Sequence, residues 1–249
     1  MISQTLMEKL LQLRLPAFRD GLKEQSSNPQ YADLSFEDRL LLLVDRECNR
    51  RLDNRTRRRF KQAEFPLQAM IEDLDFSSER KIDRHLILEL SQCSWIDKSL
   101  NVIIDGATGT GKSFVACALG SAACKSGYSV RYVRLARFLL TLNLARQNGT
   151  YLNVLRSYSK IDLLILDDWM RDPIPLAGAQ DLLEILDDRF GNLSTIVVSQ
   201  VPVSEWHARF PDPTLADAIM DRCVHNAYHV SLHGDSQRKI RGFRTNSHT

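Results

Sequence analysis

The sequence predicts an α/β fold, a parallel β-sheet between layers of helices, preceded by a small all-helical N-terminal domain. Three observations predict it. From about Ser99 onward, short apolar runs rich in Val, Ile and Leu alternate with helical stretches, the pattern of a parallel sheet covered on both faces. The first of these runs, Val102–Ile104, leads directly into a glycine-rich loop and then a helix. Ahead of residue 66 the apolar residues instead recur near helical spacing. The expected organisation is a helical domain over 1–65, a connector over 66–98 and the α/β domain over 99–249.

Taken in order, residues 4–25 read as a helix carrying Leu6, Leu10, Leu13, Phe18 and Leu22, kinked or broken at Pro16. A polar linker, 26–33, follows. Ser35 with Asp38 three residues later forms a capping-box pattern that opens a second, long helix. Phe65-Pro66 ends it, because the residue before a proline is pushed out of the helical region. The connector holds an acidic patch (Glu72, Asp73, Asp75) and a helix expected from Glu79 to Cys93. The core then reads as strand 101–105, helix 112–125, strand 129–134, helix 135–147, short helix 150–158, strand 161–167 and helix 176–190. Strand 194–199, helices within 203–224 and strand 227–232 complete it.

Composition excludes several classes. With 43% hydrophobic and 26% charged residues, the chain needs no disordered assignment. Its apolar runs, Leu40–Val44 among them, fall far short of the roughly 20 residues of a membrane span. The N-terminus lacks the layout of a signal peptide. Five scattered cysteines without a C-x-x-C pair point to reduced thiols, a cytoplasmic setting and no zinc site.

The loop Gly106-Ala107-Thr108-Gly109-Thr110-Gly111-Lys112-Ser113 fits G-x-x-x-x-G-K-[ST], the spacing that cradles nucleotide phosphates. Glycines let backbone N–H groups close around phosphate oxygens, and the following helix aims its positive end at them. Lys112 suits the β- and γ-phosphates of ATP, and Ser113 suits Mg2+. In LLILDD (163–168), four apolar residues deliver two carboxylates to the C-terminal edge of a strand, where open α/β sheets bind ligands. Asp167 is suited to hold Mg2+ beside Ser113, and Asp168 to orient or deprotonate the attacking water. The next strand ends in Ser199 and Gln200, either of which could touch the γ-phosphate or the water. Lys98 and Arg238 are weaker basic candidates.

Between Arg46 and Lys61 the second helix carries Arg46, Arg50, Arg51, Arg55, Arg57, Arg58, Arg59 and Lys61 against Glu47 and Asp53, a net charge of +6. The charges wrap round the helix. On physics alone a solvated helix and a DNA-binding surface are both open. No base-reading motif accompanies the stretch, so any DNA contact would be to phosphates and largely blind to sequence.

GATGTGKS, LLILDDW, STIVVSQVPVSEWH and ADAIMDRCVHNAYHVSLHGDSQRK, together with LRLPAFRDGL and LSFEDRLLLLVDRE in the N-terminal half, resemble the IstB-type AAA+ ATPases. These are insertion-sequence transposition helpers related to the helicase loader DnaC, and the resemblance covers almost the whole chain. It implies a AAA+ core with Gly106–Ser113 as Walker A, Asp167-Asp168 as Walker B and Ser199 or Gln200 as sensor 1. It implies Arg222 as an arginine finger reaching into a neighbouring subunit, and the basic helix as a contact for duplex DNA. ATP would drive homo-oligomeric assembly on target DNA, deform it and deliver it to a partner transposase; hydrolysis would then take the assembly apart. Two departures from the wider AAA+ pattern stand out. Walker B ends Asp-Asp in place of Asp-Glu, which implies slow hydrolysis without a partner. The residues after Leu232 are too few for the usual helical lid. A DnaC-type loader that prefers single-stranded DNA, and a scaffold that binds ATP without appreciable turnover, are the competing readings.

Overall fold

The computed structural model describes residues 2–76 and 82–234, and the chain divides into two compact units, 1–58 and 59–249. The start of the helix expected from Glu79, and Arg238, lie outside the described residues.

The first unit packs α1 (Gln4–Gln12), α2 (Pro16–Ser27) and the greater part of α3 (Phe36–Ala63). The helix expected over 4–25 is two helices. Arg14 turns through a left-handed φ of 57°, and Pro16 then takes the first position of α2, where its missing N–H costs nothing. The residues α2 buries are small, Ala17 and Gly21, with Gln25 beyond them. A Cβ on Gly21 would stand 2.8 Å from the Leu43 side chain, so glycine sets how closely α2 and α3 approach. Of the expected stripe, Leu10 is buried whereas Leu13 remains 65% exposed. The Ser35 cap forms: its Oγ accepts from the Asp38 amide at 3.1 Å and donates to the Asp38 carboxylate at 2.6 Å.

The second unit contains α4 (Arg84–Ser91), α5 (Ser94–Asp97), β1 (Asn101–Gly106), α6 (Lys112–Ser126), β2 (Val130–Arg134), α7 (Leu135–Gln147) and α8 (Tyr151–Tyr158). It continues through β3 (Leu163–Trp169), α9 (Leu176–Arg189), β4 (Ser194–Ser199), α10 (Pro213–Val224) and β5 (Ala227–Leu232). Two short 3-10 turns, Val203–Glu205 and His207–Arg209, precede α10. All pairings are parallel in the order β2-β3-β4-β1-β5, so β4 is inserted between β1 and β3. β4 is buried along its full length, as a central parallel strand must be.

Side chains alternate between two apolar layers. Val102, Ile104, Ile165 and Val198 face α6 and the connector; Ile103, Leu164, Leu166 and Val197 face α7, α9 and α10. α6 is buried almost all round, which explains its run of alanine, glycine, serine and cysteine. A Cβ on Gly120 would meet Phe65 at 2.7 Å on one side and Ile165 at 2.9 Å on the other. At the N-terminal edge of the sheet Arg189, 1% exposed, donates to the carbonyls of Tyr158 (2.9 Å), Ile161 (2.8 Å) and Ser194 and to Thr195 Oγ1 (3.1 Å). One buried guanidinium thus ties the end of α8 to the starts of β3 and β4. Burial lowers its pKa.

Candidate nucleotide site

At the C-terminal edge of β1, Gly106 has φ 143° and its hydrogen faces Leu232; a Cβ there would stand 2.3 Å from the Leu232 carbonyl oxygen. No side chain larger than glycine fits without moving β5. Gly109 and Gly111 also hold positive φ, 89° and 98°. Gly111 starts α6 without a side-chain cap, which leaves the helix start to an anion. Thr110 turns inward and donates to the Ala107 carbonyl at 2.9 Å. Lys112 Nζ folds over its own loop, donating to the carbonyls of Gly106 (2.7 Å) and Ala107 (2.8 Å). Burial lowers the Lys112 pKa, while Asp167, Asp168 and Asp105 oppose that shift.

Ser113 Oγ donates to Asp167 Oδ2 at 2.6 Å. Asp167, 5% exposed, takes two further hydrogen bonds: the Asp168 amide on Oδ1 at 2.7 Å, and the Tyr132 hydroxyl on Oδ2. Burial and the neighbouring Asp167 carboxylate push the Tyr132 phenol up, so it stays a donor. Asp168 has a left-handed φ of 57°, and its Oδ2 lies 3.1 Å from Arg171 Nη1 and 3.7 Å from Arg134 Nε.

A cavity of about 290 Å³ opens between the loop and the end of β3. Thr108, Gly109, Gly111, Lys112 and Ser113 form one wall, and Asp167, Asp168, Val198 and Gln200 another. The glycine cradle, the basic Lys112 and the hydroxyl–carboxylate pair are a set of groups suited to a nucleoside triphosphate with a divalent cation. Of the two strand-end candidates, Gln200 lines the cavity and accepts from Thr108 Oγ1 at 2.7 Å. Ser199 does not line it. It falls on the opposite face of β4, with its hydroxyl between the carbonyls of Trp169 and Val201, each at 2.9 Å. Leu67, Asp73, Leu74, Asp75 and Phe114 complete the wall. The sequence alone points to no site role for Phe114, on α6, or for the four connector residues; the acidic patch holding Asp73 and Asp75 is the one available signal.

Arg222 is not in this cavity. Its backbone carbonyl accepts from Asn101, the first residue of β1, at 2.9 Å, so it sits at the opposite edge of the sheet from the loop. Its guanidinium is held by Asp187 and donates to the Ala218 carbonyl at 2.8 Å. Lys98, at the end of α5, also lies outside the cavity lining.

On α3, three of the eight basic residues are engaged within the first unit. Arg46 pairs with Glu24 at 2.6 Å, and Arg50 and Arg51 pair with Glu47 at 2.9 and 3.0 Å. Burial raises the Glu47 pKa, but the hydrogen bonds from Arg50, Arg51 and the Phe18 and Ala17 amides outweigh it and bring it to about 2. Arg55, Arg57 and Arg58 are exposed and carry no ion pair among the described residues. Arg59 is half-buried and Lys61 exposed. No helix among the described residues is long and apolar enough to cross a membrane.

Similarity to known proteins agrees with this geometry. Residues 8–244 match the family described as IstB-like ATP binding protein. An insertion sequence ATP-binding protein of Sinorhizobium fredii is 43% identical over 239 residues, covering 96% of this chain and 98% of that protein. One from Pseudomonas fluorescens is 42% identical over 219 residues, covering 86% of this chain and 95% of the relative. The crystal structure of DnaI superposes with a TM-score of 0.59 at 20% identity, over 67% of this chain and 92% of that one, a likeness of fold. The chain therefore belongs to the IstB-like ATP-binding family, the transposition-associated AAA+ ATPases of insertion sequences.

Proposed function

We propose that this ATPase assembles as a homo-oligomer on duplex target DNA, deforms it and delivers it to a partner transposase, with hydrolysis driving disassembly. The observation that carries the oligomeric part is the cation content of the cavity: among the described residues that line it, Lys112 is the one base and no arginine occurs. Arg134 and Arg171 stand behind the lining, engaged by Asp168, so a neighbouring subunit is the source of a free second positive group to balance transition-state charge, and Arg222 suits that role only from there. Ser113 and Asp167 are the residues that would hold Mg2+. A bound Mg2+ supplies charge neutralisation on the phosphate oxygens. Lys112 binds the β- and γ-phosphates, Asp168 orients or deprotonates the water, and Gln200, bonded to Thr108, reports the γ-phosphate to β4. The exposed Arg55, Arg57 and Arg58, with Arg59 and Lys61, supply the DNA phosphate contacts; Arg46, Arg50 and Arg51 contribute less, being engaged by carboxylates. The setting is the cytoplasm.

The test is DNA binding with size analysis, with ATP, with ADP and without nucleotide, at two salt concentrations. Large complexes on duplex DNA should form with ATP and weaken with salt; each phosphate neutralised contributes about −0.9 to the log–log slope. Binding confined to single strands would replace this reading with a helicase loader. Assembly without measurable turnover, with or without DNA and transposase, would replace it with a nucleotide-gated scaffold. Lys112→Ala should abolish ATP-dependent assembly. Charge-assisted hydrogen bonds to phosphate are worth about 1.5–3 kcal/mol each, so nucleotide affinity should fall by about 10- to 100-fold for each one lost. Intact assembly by this variant would remove the loop from the mechanism.

A further inference from the structure

Asp167 is fixed by a residue that belongs to neither nucleotide motif. Tyr132 lies on β2, the edge strand beside β3, in register with Ile165. Two residues further along β3 the same face presents Asp167, within diagonal reach of a long side chain. The Tyr132 ring is 6% exposed and sits in the apolar layer with Cys117 and Ile165. A phenylalanine would fill that space equally well. The hydroxyl is therefore surplus to packing, and it donates to Asp167 Oδ2, the oxygen that also accepts from Ser113.

We propose that Tyr132 is a positioning residue for the divalent cation: its hydroxyl locks the Asp167 carboxylate in the rotamer that serves the cation together with Ser113. The inference rests on the reading of Ser113 and Asp167 as the Mg2+ site. With Oδ1 held by the Asp168 amide and Oδ2 by two hydroxyls, the carboxylate has one orientation before any cation arrives. Removing one of the three donors leaves a buried carboxylate free to re-pair, and ordering it again is charged against cation binding. Outer-shell partners of this kind typically contribute about 10- to 100-fold to metal affinity.

The experiment uses the full chain and a fluorescent ATP analogue, with affinity measured in EDTA and across a Mg2+ titration. Tyr132→Phe should bind the analogue in EDTA within about twofold of the native chain, since the phosphate cradle is untouched. Its Mg2+ midpoint should rise about 10-fold. Replacing Tyr132 with para-aminophenylalanine, which restores an N–H donor at the same place, should bring the midpoint back. An unchanged midpoint in Tyr132→Phe, or equal midpoints for the Phe and aminophenylalanine chains, would overturn the role of Tyr132 alone. A native chain whose nucleotide affinity ignores Mg2+ would overturn the cation site itself. Should the Phe variant not fold, meta-fluorotyrosine at position 132 keeps the hydroxyl and reports by fluorine NMR. Its resonance should move when Mg2+ and nucleotide are added together, and an unmoved resonance would overturn the proposal.

Discussion

Arg222→Ala should lower ATP turnover by the assembled protein by about 10³- to 10⁵-fold while leaving nucleotide binding by the dilute chain unchanged. The size of the effect follows from the role, and the separation of the two readouts follows from the geometry. Arg222 is anchored to the first residue of β1, and the phosphate loop begins at the last, Gly106. Five steps of about 3.3 Å along a strand place them roughly 17 Å apart, beyond the reach of one arginine. Within its own chain the guanidinium rests on Asp187 and the Ala218 carbonyl. That ion pair is partly exposed, so its loss should cost stability little. A mixing experiment gives the sharper result. Arg222→Ala subunits keep Asp168 but receive no arginine from their like; Asp168→Asn subunits keep the arginine. Co-assembled, the second kind should complete the sites of the first, and turnover should return. Two inactive variants that stay inactive when mixed would place Arg222 in a structural role.

Much of this site was legible in the sequence because its chemistry is local. Residues 106–113 act through one loop and the helix after it, and Asp167-Asp168 through one strand end. The alternation of apolar runs with helices gave the layers, since strands buried on both faces read as unbroken Val, Ile and Leu. What the sequence left open depends on strand order and on faces. Ser199 and Gln200 are adjacent, and only the period-two alternation of β4, read against its neighbours, turns Ser199 into the core and leaves Gln200 at the cavity. Tyr132 meets Asp167 because β2 lies beside β3, 35 residues apart in the chain. Leu67 and Leu74 reach the cavity by tertiary packing of irregular chain, which leaves no periodic trace. The packing of the N-terminal helices is hard to read for a related reason. α2 packs through Ala17 and Gly21, and small residues that permit close approach do not stand out in a hydrophobic pattern.

Asp168→Asn should lower turnover in the assembly by about 10²- to 10⁴-fold, the usual worth of a positioned base, and spare nucleotide binding. The substitution is unusually clean here because of the backbone. Asp168 occupies a left-handed conformation, φ 57°, which asparagine and aspartate tolerate better than other non-glycine residues. Asparagine keeps the shape and the conformation and removes the charge. The same constraint gives a physical reason for the Asp-Asp ending: a longer, less permissive glutamate would pay more strain at this φ. It also bears on rate. In the isolated chain Asp168 Oδ2 is engaged by Arg171 at 3.1 Å and Arg134 at 3.7 Å, so that oxygen must leave its ion pairs before it can take the hydrogen of a water. Basal turnover should therefore be slow, and the variant should lose most in the assembled state, where the site is completed. The measurement is paired: steady-state hydrolysis with DNA, and the lifetime of the ATP-loaded DNA complex. Loss of hydrolysis with a lengthened lifetime assigns Asp168 the base and hydrolysis the release step. Undiminished turnover would move the base elsewhere in the cavity, and a lifetime unchanged despite lost turnover would uncouple hydrolysis from release.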